Sequence, residues 1–288
     1  MVPAVGRVAV VTDSSTCLPA ALAEAFGIRV LPISVYLPEG RVSPDAEPVI
    51  EPELPLSEDA EQEELTGANR PFVTEYLAAV EGPGHDAAVL VTPAVEFAAM
   101  FRNASLAAEL ADRPAVAIDA RTAAAGQALV VLAGAARAAE GADLEAVVDA
   151  IEDASRRVEL VASLATLGPL RRSGPVPDDL LGPDDASESR TVFRMRKGAI
   201  EPLGPVGSAD ETLETIRRAY LEGTSEGVER STVFHAGAAE LAARLEAMIG
   251  PVDFVSGFSA SMQVHTGQGV VGVAWLPRAP ARPVEAPT

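Results

Sequence analysis

The stretch Arg7–Thr16, RVAVVTDSST, decides how the rest of the chain is read. Val8, Ala9, Val10 and Val11 form a short, continuous apolar run rich in β-branched residues. Thr12, Asp13, Ser14, Ser15 and Thr16 stop it at once. A run of this kind bounded by turn residues suits a strand buried on both faces, as in a parallel sheet. Leu18 to Phe26 follows with helical spacing, and Pro19 is placed to open that helix. The polar residues therefore sit at the carboxyl end of a strand and just before a helix. Ligands bind there in open α/β sheets, where hydroxyls and helix amides converge. Ser14 and Ser15 thus read either as ligand contacts or as the cap of that helix.

The same strand–helix alternation continues outward. Strands are expected over Ile28–Tyr36, with Pro32 marking an edge or bulge, over Ala87–Val91 and over Ala115–Ile118. Helices are expected over Pro71–Val80, with Phe72, Tyr76 and Leu77 on one face, from Pro93 to Leu110, over Thr122–Glu140 and over Asp143–Val158. From residue 38 to 67 the chain is acidic, proline-bearing and aperiodic, which reads as a long surface loop. Beyond residue 160 the pattern changes. Val161–Leu167 is extended or loosely helical, and Gly and Pro then break the chain. Lys197-Gly198 sits between two strand-like runs as a hairpin turn. Helices over Ala209–Tyr220 and Ala236–Ile249 alternate with strands over Arg230–His235, Asp253–Phe258 and Val270–Trp275. The expectation is an α/β protein: a parallel α/β unit over 1–160, an α+β unit with antiparallel pairing over 161–278, and a disordered tail over 279–288.

Composition narrows the function. The 288 residues carry 42 acidic against 22 basic side chains, a formal charge of −20. That argues against a phosphate-backbone binder, which needs a basic face, and disfavours attachment to anionic lipid. Nucleic acid is therefore not an expected partner. Cys17 is the only cysteine, so no intrachain disulfide or multi-cysteine zinc site is possible. It reads as a small apolar residue in the first helical turn. No phosphate loop, dinucleotide fingerprint or HExxH spacing is present, so no cofactor or metal is expected. The start, MVPAVGRV, lacks a charged lead with a long apolar stretch, and no apolar segment reaches about 18 residues without a charge or breaker. The expectation is a cytoplasmic protein without stable membrane insertion. His265 opens VHTGQGVVGVAW, whose glycines permit tight turns and close backbone approach. An imidazole there serves to meet an anion or to bond backbone. A hydrolase using Ser14 or Ser15, His265 and Asp13 is disfavoured, because the strained GxSxG elbow is absent.

Four segments, in order, resemble the DegV family of bacterial fatty-acid-binding proteins, which includes the binding subunits of fatty acid kinase. They are VTDSSTCLPAALAEAFGIRVLPISVYLPEG, AVAIDARTAAAGQALVVLAGAARAAEGADLEAVV, TLGPLRRSGPV and VHTGQGVVGVAW. The resemblance spans nearly the whole chain. It implies a two-domain DegV-like fold holding a fatty acid in an interdomain tunnel, with a partner ATP-dependent kinase that phosphorylates the presented carboxylate. The binding protein itself would be non-catalytic.

Carried over residue by residue, the resemblance implies polar contacts from Ser14, Ser15, His265 and Thr266, close approach at Gly126, and a wall of Phe72, Phe97, Ala98 and Met100. Ser14, Ser15, Gly126, Gly174 and His265 match the family pattern. Other positions depart from it. The family's TSxPS segment falls on Ala68–Phe72 and keeps only Pro71; a placement on Thr66 keeps a threonine but spoils the helix register. Its central serine and threonine in the next motif become Ala98 and Met100. A further serine becomes Ala124, and two arginines become Pro175 and Gly207. Most head-group hydroxyls and cations are thus replaced by apolar atoms. This motivates a second reading, a diverged paralogue that binds a neutral lipid or acts as an interaction protein. Arg70, at the family's glutamine position, is the replacement donor available to an ionised head. Arg70→Ala should then weaken fatty-acid binding sharply in a calorimetric titration; an unchanged affinity removes Arg70 from the site.

Overall fold

In a computed structural model the structure describes residues 7–33, 35–37, 40–42, 72–95, 100–164, 190–259, 262–263 and 266–279. Strand β1 (Val8–Asp13) forms where the apolar run predicts it. It lies inside a four-stranded sheet between β2 (Arg29–Leu31) and β5 (Ala87–Thr92), with β6 (Ala115–Asp119) beyond, in the order β2-β1-β5-β6. Every pairing in this sheet is parallel. The strand expected over Ile28–Tyr36 is two strands. β2 ends at Leu31, just before Pro32, and β3 (Val35–Leu37) pairs antiparallel with β4 (Gly40–Val42) in a separate ribbon. Pro32 has no amide hydrogen to continue a ladder, so the break falls there. The loop expected from residue 38 accordingly holds strand β4; residues 43–71 lie outside the described set.

The second sheet has six strands in the order β11-β10-β12-β7-β8-β9. They are β7 (Glu159–Leu164), β8 (Arg190–Arg196), β9 (Ala199–Val206), β10 (Val228–His235), β11 (Phe254–Gly257) and β12 (Val271–Pro277). The described part of the ambiguous stretch, residues 161–164, is thus strand, and residues 165–189 lie outside the described set. Antiparallel pairing holds except between β10 and β11, which run parallel. A helix carries the chain back between those two strands, and such a crossover makes a parallel neighbour. Lys197 and Gly198 both have positive φ, +53° and +82°, the conformation a two-residue hairpin turn requires.

Seven α-helices are described: α1 (Ala20–Ala25), α2 (Val73–Val80), α3 (Met100–Leu110), α4 (Ala124–Ala139), α5 (Leu144–Arg157), α6 (Ala209–Gly223) and α7 (Ala239–Ile249). Helices α2 and α3 cover one face of the parallel sheet, and α6 and α7 cover the outer face of the mixed sheet. Helices α4 and α5 lie between the sheets and touch both. One core joins Val10, Val89 and Val91 of the first sheet to Leu160, Phe193, Phe234 and Ala274 of the second, through Leu129, Val131 and Ile151 of the shared helices. A helix covered on both sides has no wet face to leave polar. Eleven residues of α4 are buried, and most of them are Ala, Gly or Val.

Gly134 marks the closest approach of α4 to α5. A Cβ there would lie 2.3 Å from Cγ1 of Ile151. Gly134→Leu therefore overpacks the shared layer and should cost about 1–3 kcal/mol despite a better helix propensity. The check is the urea unfolding midpoint; an unchanged midpoint would mean that the two helices part freely.

Candidate functional site

The carboxyl end of β1 turns directly into a short 3-10 helix, Ser14–Thr16. Its cap is Asp13, whose side chain accepts from the Ser15 amide at 3.0 Å. Helix α1 begins later, behind Pro19, with no side-chain cap. The reading of Ser14 or Ser15 as the cap of that helix is therefore corrected. Cys17 is likewise not in a helical turn. It closes the 3-10 helix in the left-handed region at φ +50°.

Ser14 and Ser15 are nearly enclosed, at 6% and 5% exposure. Ser14 Oγ accepts from the Ile33 amide at 2.9 Å and so fastens the turn to the end of β2. Ser15 Oγ donates to the Asp13 carboxylate and stands 3.2 Å from Gln127 Oε1. Thr16 Oγ1 donates back to the Asp13 carbonyl at 3.0 Å. A triad needs an imidazole between hydroxyl and carboxylate. Ser15 meets its carboxylate directly.

Gln127, from the first turns of α4, closes the other side. Its Nε2 donates to Thr12 Oγ1 at 3.1 Å, Asp13 Oδ2 at 3.3 Å and the Val91 carbonyl at 3.4 Å. Thr12 Oγ1 in turn donates to Val91 at 3.0 Å. One amide thus stitches β1, β5 and α4 together inside the shared core. Gly126 precedes it, and a Cβ there would fall 2.3 Å from Thr122 Oγ1, so the helix start lies flat on the β6–α4 loop.

Asp13 is fully buried, and that burial pushes its carboxyl up to about 6; the bonds from Ser15 and Gln127 pull the other way without cancelling it. The Tyr76 phenol on α2 is pushed far above its ordinary range, chiefly by burial and secondly by the Asp13 charge. Among the described residues, the hydroxyls of Tyr76, Thr92, Thr122 and Ser163 are buried with no hydrogen-bond partner. Thr92 ends β5 and Thr122 follows β6 at the carboxyl end of the parallel sheet, whereas Ser163 lies on β7 of the second sheet.

The turn also reaches the second sheet. Ser256 Oγ on β11 donates to the Cys17 carbonyl. Beyond β11, Thr266 Oγ1 donates to the Met262 carbonyl at 2.9 Å, and Gly269 donates to the Ala236 carbonyl at 2.7 Å. Gly267 and Gly269 have φ of +73° and +83°, the freedom for which the glycine-flanked motif was singled out.

The structure brings Ser14, Ser15 and Gly126 together around Asp13 and Gln127, with Thr266 on the loop beyond β11. Met100 is buried at the start of α3. Phe72 stands apart: it is 57% exposed, while Tyr76 is fully buried. Helix α2 starts at Val73, so Phe72 is the extended N-cap and does not share the Tyr76 face. This corrects the expectation that Phe72 and Tyr76 share one helix face. Arg70, Phe97, Ala98 and His265 lie outside the described residues. Sequence reasoning missed Gln127, Tyr76 and Thr92 as site groups. A lone amide in the apolar run AAAGQALVV was the available signal for the first.

No helix among the described residues is long and apolar enough to cross a membrane, and no described cluster of His, Cys, Asp or Glu could hold a metal ion. The family model described as "Uncharacterised protein, DegV family" matches residues 7–278. A DegV domain-containing protein of Halalkalibacterium halodurans is 23% identical over 283 residues, 93% of this chain and 98% of that protein. One from Mycobacterium tuberculosis is 29% identical, covering 92% of this chain and 96% of its own. Among solved structures, a DegV lipid-binding protein from Thermotoga maritima superposes with a TM-score of 0.77 at 19% identity, over 95% of this chain and 100% of that one. DegV of Bacillus subtilis, a fatty-acid-binding protein, gives 0.76 at 20% identity, with coverage of 95% and 100%. These likenesses fix the fold.

A carboxyl raised by burial makes the folded state the better proton binder between its unfolded value near 3.8 and about 6. Stability should therefore fall as pH rises through that window, by roughly 3 kcal/mol for Asp13 alone. Asp13→Asn should lack this slope whatever its absolute stability. Parallel slopes for the two proteins in urea titrations at pH 4 to 7 would mean that Asp13 is not perturbed.

Proposed function

The chain belongs to the DegV family, and on that premise we propose that it is a non-catalytic cytoplasmic carrier that binds a long-chain fatty acid or similar lipid in an interdomain tunnel. The observation that carries this reading is the family match across residues 7–278 together with the buried polar turn at the end of β1, set against an aliphatic core. Likeness to a Thermus thermophilus DegV family protein described by its fatty acid binding supports it further, at a TM-score of 0.76 and 23% identity over 94% of this chain and all of that one.

The energetics favour a tail-dominated ligand. Burying a C16 chain contributes on the order of 11 kcal/mol at about 0.8 kcal/mol per methylene. A buried carboxylate costs several kcal/mol unless it is paired. Ser14, Ser15, His265 and Thr266 are the polar contacts in this reading, and Met100, Phe97 and Ala98 the wall. Presentation of the carboxylate to an ATP-dependent fatty acid kinase is the corresponding role in a pathway.

A second reading, a paralogue that carries a neutral lipid or acts as an interaction protein, is favoured by one feature. Ala98, Met100 and Ala124 stand where the family places hydroxyls.

Mass spectrometry of lipids extracted from the purified protein separates the two. Stoichiometric free fatty acid supports the first reading. A neutral lipid, or no lipid in protein that also fails to bind added palmitate, overturns it.

A further inference from the structure

One end of the second sheet carries a cluster of polar side chains that lipid binding leaves unused. His235, Val271, Ser163 and Val192 are paired one after another across β10, β12, β7 and β8. Directly paired residues share a face of a sheet. Val271 and Val192 belong to the core beneath α6 and α7, so His235 and Ser163 point to that side as well. Ser163 is fully buried, and its hydroxyl has no partner among the described residues. His235 is part-buried, with its Nδ1 enclosed and likewise without a partner.

Arg190 completes the group. It precedes Val192 by two positions on β8 and so shares its face. Its Nη1 donates to the Gly269 carbonyl at 2.8 Å. The Gly269 amide donates in turn to the carbonyl of Ala236, the residue after His235, at 2.7 Å. The guanidinium thus reaches from β8 across β7 to the junction of β12 and β10. The other two arginines of β8 meet carboxylates, Arg194 with Glu159 and Arg196 with Glu201. Arg190 meets a neutral carbonyl and has no acidic partner among the described residues. In a chain with 42 acidic side chains against 22 basic ones, a part-buried cation left in that state calls for an anion.

The backbone here has the matching form. β10, α7 and β11 make a crossover between parallel strands. The turn into α7 passes through Gly237 at φ +61°, and the helix starts at Ala239 with no side-chain cap. In such a unit the carboxyl end of the strand and the first helix amides face an anion together. Gly237 and Ala239 are exposed, so the place opens to solvent. Glu240 in that first turn is exposed too, where solvent screens its charge.

We propose that Arg190, His235 and Ser163, with the first amides of α7, form a second binding site at the rim of the mixed sheet, one that takes a phosphate-type oxyanion. His235 and Ser163 stand two strand spacings apart, roughly 10 Å between backbones. A phosphate with a hydrogen bond of about 2.8 Å on either side spans about 8 Å, which their side chains can close. Arg190 supplies the charge and a planar fork of donors. The hydroxyl and the imidazole donate from either side. A metal cation would be repelled by the guanidinium.

The test uses the full chain in a phosphate-free buffer of low ionic strength, with inorganic phosphate and glycerol 3-phosphate as probes. Calorimetric titration should show one saturable site per chain, and the tighter probe tells whether free phosphate or a phosphoester is preferred. Arg190→Gln should weaken binding about tenfold to a hundredfold, and Ser163→Ala about tenfold. Arg190→Lys should recover part of the loss, because it keeps the charge without the fork. In the wild-type protein, phosphate should also move the imidazole NMR signals of His235, while those of His85, bonded to the Val80 carbonyl in the first sheet's layer, stay in place. If the Arg190 variants do not fold, the His235 signals decide alone. No saturable binding of either probe, undiminished binding by Arg190→Gln, or His235 signals unmoved at saturation overturns the inference. Each of these outcomes leaves the lipid-carrier reading standing.

Discussion

Everything in this fold depends on a helix with no face in water. Helix α4 lies between two sheets, and each sheet needs it to complete its core. Its side chains must therefore be small enough for close approach on one side and apolar on every side. The run AAGQALVVLAGAARAA meets both demands. Gly134 yields to Ile151, and Leu129 to Leu132 fill the gap to the strands. Charge returns only at the far end, with Arg137 in the last turn, where a cation complements the helix dipole.

A wall of that kind has few places to keep a polar group. Gln127 is one, and its amide is satisfied by β1 and β5 together. Its neighbour Asp13 is the more costly group, a fully buried carboxyl with no cation beside it among the described residues. Hydrogen bonds from Ser15 and Gln127 offset part of the desolvation and leave the rest. Such an uncompensated charge is a poor device for stability, since breaking even with an apolar pair already requires full satisfaction.

Much of this was legible from residue order alone. The β1 run and its polar stop were visible because β-branched residues and turn formers separate cleanly there. The Lys197-Gly198 hairpin was visible because few pairs tolerate positive φ twice. Other features were not. A helix packed on all sides has no periodicity, so nothing in residues 124–139 tells that two sheets share it. The change to α+β character after residue 160 marks where the second sheet begins, but it cannot reveal that the layer before it belongs to both sheets. Phe72 was misplaced by one boundary. A helix starting at Val73 turns the preceding side chain outward.

The identity of residue 127 bears on the same site. An arginine or lysine there would neutralise Asp13 and hold its carboxyl low, fixing the charge throughout the physiological range. An apolar residue would strand the carboxylate and the Thr12 hydroxyl together. Glutamine does neither. It donates to Asp13 and leaves the charge uncancelled, so the carboxyl sits at about 6, close enough to neutrality for its proton to come and go.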